Sequence, residues 1–168
     1  MPTVTVFGSS SAPAYSAEYN NALELGARLA SKGYDVATGA YGGVMEAALK
    51  GASDYNVKRI GIGLDDPKRE FNSYVGEKII AGSYLERLGM LLDTGDVYIV
   101  LPGGTGSLLE LVAAWALKER NLNDKKIICV GEVWYEMFQT LGFYSEKFLE
   151  SATLVSHAKT IDKALDYL

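Results

Sequence analysis

The chain has 168 residues, of which 48% are apolar, and 16 Lys and Arg against 21 Asp and Glu give a formal net charge of −5. This length predicts one domain over residues 1–168 that buries roughly 70% of its unfolded surface. The acidic balance disfavours nucleic-acid binding, no segment has the roughly 18 apolar residues of a membrane span, and a lone cysteine, Cys129, favours the cytoplasm.

Short β-rich runs alternate along the chain with segments of helical periodicity. The predicted strands, in chain order, are Thr3–Phe7, Asp35–Thr38, Arg59–Leu64, Lys78–Ala81, Val97–Leu101, Lys126–Val130 and Thr153–Val155. The predicted helices run from Ser16 to Gly33, Val44 to Gly51, Tyr84 to Leu92, Leu108 to Leu117, Trp134 to Leu141, near Glu146, and from Ile161 to Leu168. This alternation predicts an α/β fold: a three-layer, doubly wound, Rossmann-like parallel sheet of about six or seven strands with helices on both faces.

Three of the predicted strands end in small, glycine-rich loops, at Gly8–Ser11, Gly39–Gly43 and Pro102–Ser107. Because the carboxyl ends of parallel strands share one edge, these loops are expected to converge on one crevice. Glycines let backbone amides approach a ligand closely, and the dipole of a following helix attracts anions. The loops therefore predict a phosphorylated ligand, although each of them alone is also explained as a simple turn.

The common nucleotide and metal motifs are missing. Gly8-Ser9-Ser10-Ser11-Ala12-Pro13 does not supply the Gly-x-Gly-x-x-Gly of a dinucleotide site, and no loop ends in the Gly-Lys-Ser or Gly-Lys-Thr of a P-loop. The only histidine, His157, has no Asp, Cys or second His at ligand spacing and is expected to be structural or exposed. A standard NAD, ATP or metal site is therefore not predicted.

Two charged residues stand close to the predicted crevice. Glu110 follows Ser107 by three residues, near the start of a helix, where it is either a group that acts on the ligand or a member of a capping box. Arg87 follows the fourth predicted strand and either reaches the crevice or pairs on a solvated helix face with Glu86 or Asp93. The residues alone leave both alternatives open.

The segment Pro102-Gly103-Gly104-Thr105-Gly106-Ser107-Leu108-Leu109-Glu110 resembles the Pro-Gly-Gly-x-Gly-Thr-x-x-Glu signature of the Lonely Guy family, the cytokinin riboside 5′-monophosphate phosphoribohydrolases, also labelled lysine decarboxylase-like. Arg87 lies 15 residues before Pro102 and 23 before Glu110, as does the arginine of the family's Met-x-x-Arg-Lys motif. The loops at Gly8 and Gly39 are also similar, and the resemblance covers essentially the whole chain. Tyr84 and Leu88 replace the methionine and lysine of that motif, and Ser107 replaces the threonine.

The resemblance implies a nucleoside 5′-monophosphate phosphoribohydrolase that releases a free base and ribose 5-phosphate without a metal or cofactor. Glu110 would activate water and stabilise the developing cation, and Arg87 would hold the ligand and orient Glu110. The residues expected to bind the phosphate and nucleotide are Gly8, Ser9, Ser10, Gly42, Gly43, Gly103, Gly104, Thr105, Gly106 and Ser107. The preferred base is not indicated; Tyr41 and Tyr84 are the tyrosines nearest to the motifs.

The missing lysine at Leu88 favours an alternative, a non-catalytic protein of the same fold that binds or carries a nucleotide or phosphorylated cofactor. Lysine decarboxylase activity is not expected, because the crevice loops contain no lysine that could hold pyridoxal phosphate. The family resemblance also implies a homodimer or higher homo-oligomer. The stripe Leu108, Leu111, Val112 and Trp115 is either its contact surface or part of the core.

Overall fold

A single sheet of seven parallel strands runs through the computed structural model, which describes residues 1–168. The strands are β1 (Thr3–Phe7), β2 (Asp35–Thr38), β3 (Arg59–Leu64), β4 (Glu77–Ala81), β5 (Val97–Val100), β6 (Lys126–Val130) and β7 (Ser156–Ala158). Their spatial order is β4-β3-β2-β1-β5-β6-β7. The chain adds strands on one side of β1 up to β4 and then on the other side from β5, so that the strand order reverses between β1 and β5.

Seven helices cover the two faces of the sheet. They are α1 (Ala17–Ser31), α2 (Val44–Gly51), α3 (Tyr84–Thr94), α4 (Thr105–Glu119), α5 (Glu132–Tyr144), α6 (Glu146–Ala152) and α7 (Ile161–Leu165). One apolar core lies between the sheet and α1, α2 and α7, and a second core lies between the sheet and α3, α4 and α5. The predicted doubly wound α/β fold is confirmed. No helix has both the length and the apolar character needed to cross a bilayer.

The central strands are buried on both faces, as a sheet covered by helices requires. All five residues of β1 are buried, and so are Tyr98, Ile99 and Val100 of β5. Because these strands contribute side chains to both cores, they hold the carboxyl ends of β1 and β5 rigidly at the reversal point. In sheets of this kind the reversal point is where ligands bind.

Two predicted elements differ from the structure. The seventh strand is Ser156–Ala158 and not Thr153–Val155, because the backbone N–H groups of residues 153–155 bond back to the carbonyls of Glu150, Ser151 and Ala152 at the end of α6. Helix α4 begins at Thr105, three residues before the predicted start. The second difference changes the chemistry of the site, since it places Ser107 inside the helix.

Candidate functional site

The three glycine-rich loops converge, and Ser9 connects them. The backbone N–H of Ser9 donates to the carbonyl of Pro102 at 3.2 Å, and the carbonyl of Ser9 accepts from the N–H of Val44 at 2.8 Å. Gly43 has a φ of 64°, and a Cβ there would overlap the backbone of Ser9 and Ser10. Only glycine allows this close approach, so Gly43 fixes the Ser9 loop against the start of α2.

The N-terminus of α4 is open to the cleft. Its N-cap is Gly104, which has no side chain to accept from the first turn, so the N–H groups of Thr105, Gly106 and Ser107 have no partner within the helix. Ser107 is the third helical residue, and the capping-box interpretation of Ser107 and Glu110 is therefore wrong. An uncapped helix start combines free donors with the positive end of the helix dipole, which suits a phosphate.

A cleft of about 200 Å³ lies over this helix start and the ends of β1 and β2. Of the residues predicted for the site, eight line it: Gly8, Ser10, the buried Arg87, Gly104, Thr105, Gly106, Ser107 and Glu110. Ser9, Gly42, Gly43 and Gly103 do not line it. Gly103 lies against Ser107 and the backbone of Ser9, and Gly42 lies near the carbonyl of Ser10. These four residues contact neighbouring loop residues instead.

Glu110 lies on the second turn of α4, with its carboxyl group facing the cleft. Burial raises the pKa of this carboxyl to about 7, and the nearby positive charge of Arg87 limits the rise. No hydrogen bond contributes to this pKa. A carboxyl group that titrates near neutral pH, free of protein donors and beside an anion site, can exchange a proton with a bound ligand or water.

This raised pKa predicts a pH-dependent stability. The folded chain binds the Glu110 proton more tightly than the unfolded chain does. The free energy of unfolding is therefore highest below about pH 4.5, and it falls by about 3 kcal/mol as the pH rises through 7. Glu110→Gln removes the charge, and we expect it to raise the melting temperature by about 5–10 °C at pH 8 and to change it little at pH 4.5. Thermal unfolding at the two pH values tests this, and an equal gain at both would contradict it.

Arg87 is 6% exposed and is bonded to the backbone. Its Nε donates to the carbonyl of Ile62 at 2.7 Å, and one terminal nitrogen donates to the carbonyl of Gly39 at 2.7 Å. The interpretation of Arg87 as a solvated partner of Glu86 or Asp93 is therefore wrong. Arg87 forms no ion pair with Glu110, so its influence on that carboxyl passes through the electric field alone.

The cleft is also lined by Gly39, Tyr41, Met45, Arg69 and Tyr84. None of these is among the predicted binding residues, although the loop Gly39–Gly43 is predicted to lie at the crevice. Gly39 leaves room for the guanidinium of Arg87, which a Cβ would overlap. The Tyr41 ring lies 5.3 Å from the Arg87 guanidinium carbon and 5.7 Å from that of Arg69. Proximity to the motifs pointed to Tyr41 and Tyr84, whereas nothing in the pattern around Arg69 could have done so.

Several charged or titratable residues lie elsewhere. The Lys50 ammonium lies over the rings of Tyr19 and Tyr74, and that of Lys78 over Phe71, so neither lysine lines the cleft. The ring of His157 packs edge-on against Phe138 at 4.9 Å, and burial lowers its pKa. The residues Leu88 and Leu111 pack with the core beneath α3 and α4.

A family comparison decides which group of proteins this architecture represents. The family model described as the SLOG cluster4 family matches residues 1–164. The chain belongs to this family. A SLOG cluster4 assignment agrees with the predicted resemblance to the Lonely Guy proteins, which is confirmed.

Relatives of this SLOG cluster4 chain carry two kinds of name. The cytokinin riboside 5′-monophosphate phosphoribohydrolase of Mycobacterium tuberculosis is 29% identical over 94% of this chain and 89% of its own length. The molybdenum cofactor binding protein of Rippkaea orientalis is 25% identical, with a TM-score of 0.79 over 99% of this chain and 94% of its own. The molybdenum cofactor carrier protein of Chlamydomonas reinhardtii is 22% identical, with a TM-score of 0.76 over the same shares, and shows the common fold.

Proposed function

We propose that the chain is a nucleoside 5′-monophosphate phosphoribohydrolase, an enzyme that hydrolyses the N-glycosidic bond to release a free base and ribose 5-phosphate. The observation that carries the proposal is the presence of Glu110, a carboxyl with a pKa of about 7, in the same cleft as the uncapped start of α4. The name of the 29% identical relative supports it. Residues 1–168 would act as one nucleotide-binding unit in the cytoplasm.

The phosphate would bind at the start of α4. The N–H groups of Thr105, Gly106 and Ser107 donate there without the need for a lysine, and the hydroxyl of Ser10 adds a further donor from the β1 loop. Binding energy at the phosphate then holds the ribose over Glu110 for attack.

Glu110 would do the acid–base work. As the glycosidic bond breaks, positive charge develops on the ribose, and the ionised carboxylate stabilises it. The same carboxylate takes a proton from water, the resulting hydroxide adds to C1′, and the proton passes on to the nitrogen of the departing base. Arg87 would keep Glu110 from becoming still more basic, because its positive charge favours the ionised form.

Release of base and ribose 5-phosphate from a panel of purine and pyrimidine nucleoside 5′-monophosphates tests this function. Unphosphorylated nucleosides serve as the control for the phosphate site. We expect turnover of the monophosphates alone, and cleavage of nucleosides at equal rates would contradict the role of the α4 start.

A second candidate is a carrier that binds a nucleotide or phosphorylated cofactor without cleaving it. It is favoured by Leu88, which places an apolar side chain where the family motif has a lysine, and by the names of the molybdenum cofactor binding and carrier proteins. A rise in melting temperature on addition of a nucleotide, with no release of base, would support the carrier and refute the hydrolase.

We also propose a homodimer formed through α3 and α4. The predicted stripe divides in the structure: Leu111 and Trp115 are core residues, whereas Leu108 and Val112 are exposed. On the neighbouring helix α3, Leu85 is 73% exposed. Exposed apolar residues on two adjacent helices are typical of a contact surface between subunits.

Light scattering tests the dimer. We expect the parent to have twice the chain mass of 18.2 kDa, and Val112→Asp combined with Leu85→Asp to have the mass of one chain, because buried carboxylates are costly. Leu122→Asp, at a 70% exposed position beyond α4, is the matched control and should leave the mass unchanged. A parent of single-chain mass would refute the dimer.

A further inference from the structure

The cleft has two chemically different ends. At one end the N–H groups of residues 105–107 point from the start of α4, with the Tyr84 hydroxyl beside Gly106. At the other end lie Tyr41, from the loop after β2, and Arg69, from the connection after β3. Helix α4 follows β5, and β5 is three strand positions from β3 in the sheet. At the usual strand spacing β5 lies about 10 Å from β2, which precedes Tyr41, and about 14 Å from β3, which precedes Arg69, so that one elongated ligand can touch both ends.

Tyr41 is a rigid platform at the second end. Its hydroxyl accepts a hydrogen bond from the backbone N–H of Leu64 at 2.7 Å, and its carbonyl accepts from the Asn72 side chain at 2.9 Å. Phe71 contacts the ring edge-on at a centroid distance of 6.3 Å. With both its backbone and its hydroxyl bonded, this ring holds the guanidinium of Arg69, 5.7 Å away, at the margin of the cleft.

Arg69 is the cation that remains available to a ligand. Its Nε faces the carboxylate of Asp66 at 3.4 Å, whereas its two terminal nitrogens have no acceptor in the protein, and the side chain is 54% exposed. The other cation of the cleft, Arg87, is buried and bonded to two carbonyls. A guanidinium with two free parallel donors matches a ligand edge that offers two acceptors side by side.

We propose that Arg69 is a specificity-determining residue that selects oxopurine bases, those of inosine and guanosine 5′-monophosphates, over adenine. The inference rests on the proposed function, in which the phosphate binds at the start of α4 and the base therefore extends toward Tyr41 and Arg69. The O6 and N7 atoms of an oxopurine are adjacent acceptors that arginine binds in a bidentate manner. Adenine presents N7 beside an amino group, which would set one donor against another.

Equilibrium binding of inosine and adenosine 5′-monophosphates to the parent and to Arg69→Met tests the proposal. We expect the parent to bind the inosine nucleotide roughly 10- to 100-fold more tightly, a range set by the value of one good bidentate contact. Arg69→Met should reduce this affinity to that of the adenosine nucleotide and leave the adenosine nucleotide and ribose 5-phosphate unaffected. Lys68→Met, which removes the neighbouring charge outside the cleft, should change none of the three affinities.

Each other outcome overturns the proposal in a recognisable way. Equal affinities of the parent for the two nucleotides would show that the base is not selected. An equal loss of all three ligands in Arg69→Met would place Arg69 at the phosphate. Because binding is measured, the two proposals can fail separately. A protein that selects inosine 5′-monophosphate but never cleaves it would refute the hydrolase and support the role of Arg69. Cleavage without base preference would support the hydrolase and refute the role of Arg69.

Discussion

Glu110→Gln is expected to lower kcat/KM for nucleoside 5′-monophosphates by about 100- to 10,000-fold, the usual contribution of a positioned acid–base group. Glutamine keeps the shape and polarity of the side chain, but it can neither take a proton from water nor stabilise a positive charge through a negative one. The parent should show a kcat/KM that rises with pH through about 7, as the carboxyl ionises. The variant should have lost that dependence. Steady-state assays of base release between pH 5 and 9 measure both effects.

The matched control for this experiment is Glu119→Gln, on the same helix. Glu119 is exposed near the end of α4, where its contact with Arg120 at 3.6 Å lies at the surface and contributes little. The activity and pH profile of the Glu119→Gln protein should equal those of the parent. A Glu110→Gln protein that retains a tenth or more of the parent activity would remove Glu110 from the mechanism.

Arg87→Met is expected to have two separable effects. First, the carbonyls of Gly39 and Ile62 lose their buried donors, which should lower the free energy of unfolding by about 2–5 kcal/mol. Second, loss of the positive charge should raise the pKa of Glu110 further above 7, because Arg87 lowers it in the parent. Denaturant unfolding measures the first effect, and the midpoint of the pH–rate profile measures the second.

Arg87→Lys separates the charge from the hydrogen bonds. A lysine keeps the positive charge near Glu110 but has no planar fork with which to bond both carbonyls. We therefore expect Arg87→Lys to recover most of the pH midpoint and to remain less stable than the parent. An Arg87→Met protein as stable as the parent, with an unmoved midpoint, would show that neither role is correct.

The fold was predictable because its signals are local. The run Val97–Val100 is apolar throughout, as a strand buried on both faces must be, and glycine loops separate strands from helices at regular intervals. The errors fell where local signals are weakest. The residues Thr153–Val155 are β-rich, yet they form turns directly after α6, because their N–H groups donate to the carbonyls of Glu150, Ser151 and Ala152.

The candidate site was predictable only in part. The motif spacing singled out Glu110 and Arg87, whose positions depend on the start of a helix. Arg69 lies in an irregular connection, and its place in the cleft depends on Tyr41, a residue 28 positions earlier in the chain. A contact between two loops that follow different strands leaves no period or motif in the sequence, so only the folded chain reveals it.

The backbone bonds of Arg87 also bear on how such sequences evolve. A side chain that fastens α3 to β3 and to the loop after β2 stabilises the fold whether or not any reaction takes place. A protein of this fold that only holds a ligand is therefore expected to retain this arginine, together with Gly39, which makes room for it. Retention of Arg87 and Gly39 thus reflects the fold and not the function. A change of function among related proteins is expected to appear first at positions such as 110 and 69.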